Sequence, residues 1–309
     1  MHDVVTGQTA DGAHTGAGAG ERADAAISDA DRDAVAHSVA GTLKGRAPRA
    51  DDRFRAVPED LDDEAEFMRA LAAEAAVMLE DKPAASILRW AAGVVPRFAI
   101  TSSFGADSAV LLHLVSQEAP QVPVLFLDTG FHFDETMTFR RDLAQDLGLT
   151  VLDVQPDLSV SQQARRYGAE LYKRDPDACC GMRKTAPLRR ALANFDGWAT
   201  GVRRSQTPER AATPVVEARP HAGRFLVKVA PLARWDDDDI ADYLATHDLP
   251  RHPLVDQGYP SIGCWPCTNR VAPGEDPRAG RWAEFDGKTE CGIHLDGDDE
   301  ALRRSTTPG

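Results

Sequence analysis

The sequence predicts an α/β protein built on a doubly wound, mostly parallel sheet with helices on both faces. Three observations carry that reading. Short apolar runs of strand length alternate with longer stretches of helical period between about residues 61 and 247. The motifs richest in Gly, Ser and Arg fall where the predicted strands end, the edge at which such sheets bind ligands. Forty-two per cent of the 309 residues are hydrophobic, enough for one sizeable core.

The elements follow in order. Residues 1–55 are rich in Ala, Gly, Asp and Thr and poor in large apolar side chains. Such a segment cannot bury enough surface to offset chain entropy, so it is predicted to be disordered, apart from a short helical stretch near 28–44. Residues 61–80 place apolar side chains at helical spacing, and 84–94 form a second helix. A buried strand over 98–102 (FAITS) leads to a helix over 107–117. A second strand over 122–127 (VPVLFL) is followed by a helix over 134–147. A third strand covers 150–154, a fourth ends at 198–201, and a short one covers 225–229. The helix over 236–247 (DDDDIADYLATH) carries acidic residues in its first turn, where they favour the dipole. After about residue 258 the regular pattern stops.

Bulk properties exclude several classes. The net charge of −14, from 49 acidic and 35 basic residues, argues against a nucleic-acid footprint, though not against a local basic pocket. No apolar run approaches the roughly 20 residues of a membrane span. The N-terminus lacks the basic and apolar regions of a secretory signal, so a cytoplasmic location is expected, with no membrane association. Five cysteines is an odd number, which in this context favours metal or redox chemistry over a disulfide framework.

Five motifs stand out. The loop Ser102-Ser103-Phe104-Gly105-Ala106-Asp107-Ser108 follows a strand and opens a helix, a context that presents backbone N–H groups to an anion. These residue types also serve as ordinary helix caps. Asp128-Thr129-Gly130 ends the next strand. Gly201-Val202-Arg203-Arg204 ends a later one, and paired guanidinium groups bind oxyanions in a forked geometry. Cys179-Cys180 and Cys264-Trp265-Pro266-Cys267 could together hold zinc or a [4Fe–4S] cluster. The thiolates of an adjacent Cys-Cys pair project in different directions, which suits separate irons of a cubane better than one tetrahedral ion. Finally, Glu290-Cys291-Gly292-Ile293-His294 lies among polar residues, so its thiol is expected to be exposed. A lone cysteine near a histidine is a candidate nucleophile.

These blocks resemble the adenine-nucleotide alpha-hydrolase superfamily, in the branch of the adenylyl-sulfate and phosphoadenylyl-sulfate reductases. The resemblance covers about residues 65–295 and is strongest over 100–134, 179–206 and 261–295. The loop is similar to the SGGxDS loop of ATP pyrophosphatases, but Ser103-Phe104 replace its first glycines. The bulk of Phe104 is therefore expected to leave less room for a pyrophosphate. The CC…CxxC pattern beside Arg183-Lys184 is similar to the adenylyl-sulfate reductases that carry a [4Fe–4S] cluster; the phosphoadenylyl-sulfate reductases lack these cysteines. The ECGIH motif closes the same branch.

The resemblance implies an α/β nucleotide-binding domain over 56–257 and a tail over 258–309, mobile and carrying both the second cluster half-site and the nucleophile. It implies reduction of adenylyl sulfate to sulfite and AMP in sulfate assimilation. Cys291 attacks the sulfur and becomes an S-sulfonate, which a thioredoxin or glutaredoxin-like protein then reduces, because no second cysteine stands near Cys291. Cys291, Lys184 and His294 are implied as catalytic. Ser102, Ser103, Phe104, Gly105, Asp107, Asp128, Gly201, Arg203, Arg210, Arg278 and Arg281 are implied to bind substrate. Cys179, Cys180, Cys264 and Cys267 are implied to hold the cluster, with Lys184 between cluster and substrate. A homo-oligomer is compatible with all of this. Three other readings carry less weight: a phosphoadenylyl-sulfate reductase, disfavoured by the four cysteines; a thiolation or adenylyl-transfer enzyme, disfavoured by Phe104 and the ECGIH motif; and a zinc module.

Overall fold

A computed structural model describes residues 61–285 and 287–293. The disorder expected over 1–55 and the helix expected near 28–44 lie outside the described residues. Six strands form one sheet: β1 (Phe98–Ser102), β2 (Val124–Leu127), β3 (Val151–Val154), β4 (Gly197–Thr200), β5 (Val216–His221) and β6 (Arg224–Val229). Their order is β3-β2-β1-β4-β6-β5. All neighbours are parallel except the β5–β6 pair, a hairpin at the edge. The expected doubly wound, mostly parallel sheet is what the chain forms.

Alternation along the strands explains the two covered faces, since successive side chains point to opposite sides. Phe98 and Ile100 of β1, Val124 and Phe126 of β2, and Val227 and Val229 of β6 join the larger core. Their neighbours Ala99, Leu125 and Leu226 join a smaller one on the other face, with Trp198. Helices α1 (Leu61–Leu79), α2 (Ala84–Val94) and α3 (Ser108–Glu118) contribute Leu79, Trp90 and Leu112 to the larger core. So does α4 (Asp134–Asp146) through Phe139 and Leu143.

The sequence reading leaves 155–197 without assigned helices, yet four short ones lie there: α5 (Val160–Tyr167), α6 (Leu171–Arg174), α7 (Pro176–Cys180) and α8 (Ala186–Leu192). A π-turn over Gly181–Thr185 joins the last two. Pieces this short are marginal alone and depend on tertiary contacts. The edge strand β5 also went unassigned. It contains Pro220 and alternating charge, features that an edge strand tolerates. The last helix, α9 (Asp237–Thr246), has the expected acidic first turn and a capping box between Asp236 and Asp239. No helix among the described residues is long and apolar enough to cross a membrane.

Candidate active site

The chain runs from β1 outward to β2 and β3, then returns to lay β4 on the other side of β1. Such a switch opens a crevice at the C-terminal strand ends. A cavity of about 730 Å³ lies there, within the usual range of small-molecule sites.

The loop after β1 forms one wall. Ser102 Oγ accepts a hydrogen bond from the Phe104 N–H at 3.1 Å, and Gly105 C=O accepts from the Ser108 N–H at 3.1 Å, which turns the chain into α3. Gly105 packs closely, for a Cβ there would stand 3.3 Å from the Ile262 carbonyl oxygen. Ser102, Ser103, Gly105 and Asp107 line the cavity. Phe104 does not. Its backbone is left-handed (φ 49°), and its ring is fully buried edge-to-face against Phe126, with centroids 5.7 Å apart. The ring points into the core, so the crowding of a phosphate group expected from its bulk is not present. Asp128 also stays off the cavity. It caps the turn after β2, accepting from the Gly130 N–H at 3.0 Å and from Gln155 at 3.3 Å. The neighbouring Thr129 lines the cavity instead, as does Gly201 after β4.

The arginines divide by partner. Arg203 is buried and donates to Asp107 at 2.6 Å and to Asp237 at 2.7 Å. Burial lifts the Asp107 carboxyl above its ordinary value, with Arg203 acting against the rise and Asp237 adding to it. Arg204 forks onto Glu80 at 2.6 and 3.0 Å and carries structure rather than cavity lining. Arg210 forks onto Glu290 at 2.6 and 2.7 Å. Arg278 donates to the Thr289 carbonyl at 2.7 Å, and burial pulls its pKa down. Arg281 has no carboxylate partner among the described residues. Its guanidinium lies 4.6 Å from the Trp282 ring centroid and is pressed against Gly263, where a Cβ would stand 2.2 Å from Nη2.

The cysteines of the two motifs, 84 residues and more apart in sequence, line one small cavity behind the first. Cys179, Cys180 and Cys264 are buried and Cys267 is half-buried; all are free thiols. Burial, with the neighbouring Cys264 thiol adding to it, pushes Cys180 up to about 12 and Cys267 up to about 11. Thiols set this way need a bound cation to become thiolates. An all-sulfur donor set suits iron–sulfur or zinc. Among the described residues no three donors gather closely enough to hold a single ion. The π-turn after Cys180 sends its two cations to different places. Arg183 is buried, donating to the Thr129 carbonyl, to Leu158 C=O at 3.2 Å and to Gln163 Oε1 at 2.8 Å. Lys184 reaches the wall between the cavities: Lys184, Cys264 and Trp282 line both. Burial opposes its charge, but Cys264, Cys291 and Cys180 together outweigh that and raise its pKa.

Cys291 opens onto the larger cavity and is half-buried rather than exposed as expected. Ile293 packs against the core formed by Leu188 and Leu192. His294 lies outside the described residues.

Several site residues escaped the sequence reading. Gln163 donates to Cys179 Sγ at 3.8 Å, and Thr129 Oγ1 lies 3.3 Å from Cys264 Sγ. Thr129 sits inside a motif already singled out, whereas Gln163 lies on unassigned α5. His132 lines the cavity beside the Leu127 carbonyl oxygen at 2.8 Å, and burial lowers its pKa. Glu290 and Gly263 each adjoin a cysteine of a recognised motif.

Known proteins resemble this chain over most of its described residues. The family model described as phosphoadenosine phosphosulfate reductase domain matches residues 97–270. The adenosine 5'-phosphosulfate reductase of Streptomyces coelicolor is 46% identical over 230 residues, covering 74% of this chain and 95% of that protein. That of a Chelativorans species is 48% identical over 248 residues, covering 78% and 96%. The crystal structure of phosphoadenylyl-sulfate reductase from Candida auris, a phosphate complex, superposes with a TM-score of 0.57 at 29% identity, covering 65% of this chain and 96% of that one.

Proposed function

This chain belongs to the phosphoadenosine phosphosulfate reductase family, and from that premise we propose that it reduces adenylyl sulfate to sulfite and AMP with Cys291 as the nucleophile. It is an oxidoreductase of sulfate assimilation, as its adenosine 5'-phosphosulfate reductase relatives are. The observation that carries the mechanism is that Cys291, Lys184, Arg278 and Arg281 share one cavity with the loop after β1.

The nucleotide lies along the strand ends, its phosphate on the Ser102–Gly105 turn and its sulfate toward Arg278, Arg281 and Lys184. These cations lower the repulsion between an anionic substrate and a thiolate. The Cys291 thiolate attacks sulfur, the S–O bond of the anhydride breaks, and AMP leaves with the bonding pair. A dithiol of thioredoxin or glutaredoxin type then attacks Sγ of the S-sulfonate. Sulfite departs, a mixed disulfide forms, and the second thiol of the reductant releases the Cys291 thiolate. The two electrons come from the reductant, in the cytoplasm.

Cys179, Cys180, Cys264 and Cys267 would hold a [4Fe–4S] cluster, for which the buried all-sulfur donor set is suited. When bound, such a cluster supplies negative charge beside Lys184 and ties the tail half-site to α7.

The test is sulfite release with thioredoxin, comparing adenylyl sulfate with its 3'-phosphorylated form. Intact and peptide mass spectrometry after mixing with adenylyl sulfate should find the sulfonate on Cys291. An adduct on another cysteine, or a clear preference for the 3'-phosphorylated nucleotide, would sink the corresponding part of the reading.

A further inference from the structure

The nucleophile's neighbour has no assigned part. Glu290 is buried, with 5% of its surface exposed, in a segment otherwise rich in polar surface. Its two carboxylate oxygens fill the fork of Arg210, accepting from Nε at 2.6 Å and Nη2 at 2.7 Å. Arg278 Nη2 stands 3.5 Å from the same carboxylate and bonds the Thr289 carbonyl. Lys288 donates to the Glu290 carbonyl at 3.0 Å. Arg210 ends a 3₁₀ turn beyond β4, and its Nη1 is held by Gln206. The fork is thus fixed to the sheet edge before the tail meets it. Downstream, Gly292 turns the chain at φ 86° and Ile293 sinks into the smaller core.

We propose that Glu290 is the positioning residue of the nucleophile: its ion pair with Arg210 seats the tail so that the Cys291 thiol faces the cavity. The pair is bidentate and almost dry, so it fixes direction as well as distance. A carboxylate aimed into a site that gathers arginines for an anionic substrate would be a poor choice for packing alone. It is the right chemistry for docking a tail onto that site. Because Ile293 supplies an apolar contact two residues beyond the thiol, Cys291 is bracketed on both sides, and only the upstream contact depends on charge.

The inference rests on Cys291 being the nucleophile, and its test separates the two. In the holoenzyme without nucleotide, the alkylation rate of Cys291 by iodoacetamide is followed by peptide mass spectrometry. Glu290→Ala should speed alkylation about tenfold or more, because one partner of a buried pair is removed. Glu290→Gln, which keeps the shape, should show the same direction. Turnover should fall about 100-fold, as for a misplaced reacting group, with KM changed far less. The charge-swapped pair, Glu290→Arg with Arg210→Glu, should recover part of the protection that either single variant loses. Iron content equal to wild type shows that the variants fold. Unchanged alkylation in both Glu290 variants at full iron content would overturn the proposal, as would a swapped pair no better protected than the singles. Absence of a sulfonate on Cys291 would sink the nucleophile reading and leave these rates intact.

Discussion

Arg203 Nη2 donates to Asp107 Oδ2 at 2.6 Å, joining the loop after β1 to the loop after β4 across the floor of the cavity. The same guanidinium reaches Asp237 at the start of α9. One buried side chain therefore fixes the spacing of three loops. Arg203→Lys keeps the charge but cannot serve both carboxylates, since an ammonium lacks the fork. The expected result is a stability loss of about 1–3 kcal/mol and weaker AMP binding, checked by urea denaturation and nucleotide titration. An unchanged AMP affinity would mean that the loops hold their spacing without it.

Gly263→Ala tests Arg281. The new Cβ would stand 2.2 Å from Nη2 and 2.7 Å from Cζ. The far end of a long side chain can yield, so stability should change by less than about 1 kcal/mol. The displaced guanidinium no longer meets the substrate, and kcat/KM for adenylyl sulfate should fall about tenfold or more. Loss of iron in step with activity would instead assign the damage to neighbouring Cys264.

Lys184→Ala removes the cation shared by the two cavities. Turnover should fall about 100-fold while iron and acid-labile sulfide stay near wild-type levels. Equal loss of both would make Lys184 a structural counter-charge.

His252 sets an acid limit on stability. It is fully buried, Nε2 lies 3.0 Å from Thr136 Oγ1, and Nδ1 accepts from the Leu254 N–H at 3.2 Å. Burial lowers its pKa from 6.5 to about 4. The folded state thus binds the proton less readily than the unfolded chain. The contribution is whole above pH 6.5 and is lost as pH falls from 6.5 through 4. At 1.36 kcal/mol per pH unit this amounts to about 3 kcal/mol. Urea denaturation across that window should show the loss, and His252→Gln should flatten it; an equally steep profile in the variant would place the titration elsewhere.

Much of the fold was legible because local period reports it. The short apolar runs of β1, β2 and β6 and the helical spacing of α1 to α4 need no knowledge of distant residues. The four short helices between 160 and 192 were not legible, because their stability comes from tertiary packing rather than from their own pattern: α5 to α7 pack around Cys179 and Phe131, and α8 packs into the smaller core through Leu188 and Leu192. Within the site, the turn after β1 was readable as chemistry at a strand end, and the cysteine motifs as a sulfur donor set. The direction of the Phe104 ring was not: a left-handed φ decides it, and neighbouring residues do not announce one.

By itself, then, the sequence determined which chemical groups this protein has to work with and at which edge of the sheet they gather. Strand, turn and helix are local choices, and thiols and guanidinium groups keep their chemistry in any fold. The tertiary structure alone decided which of those groups are free to act. Arg203, Arg204 and Arg210 are answered by carboxylates 96, 124 and 80 residues away, while Arg281 is met by a ring and a glycine. Ion pairing over such separations depends on how the loops close above the sheet. Hence the seating of Cys291 by Glu290 came into view only with the folded chain.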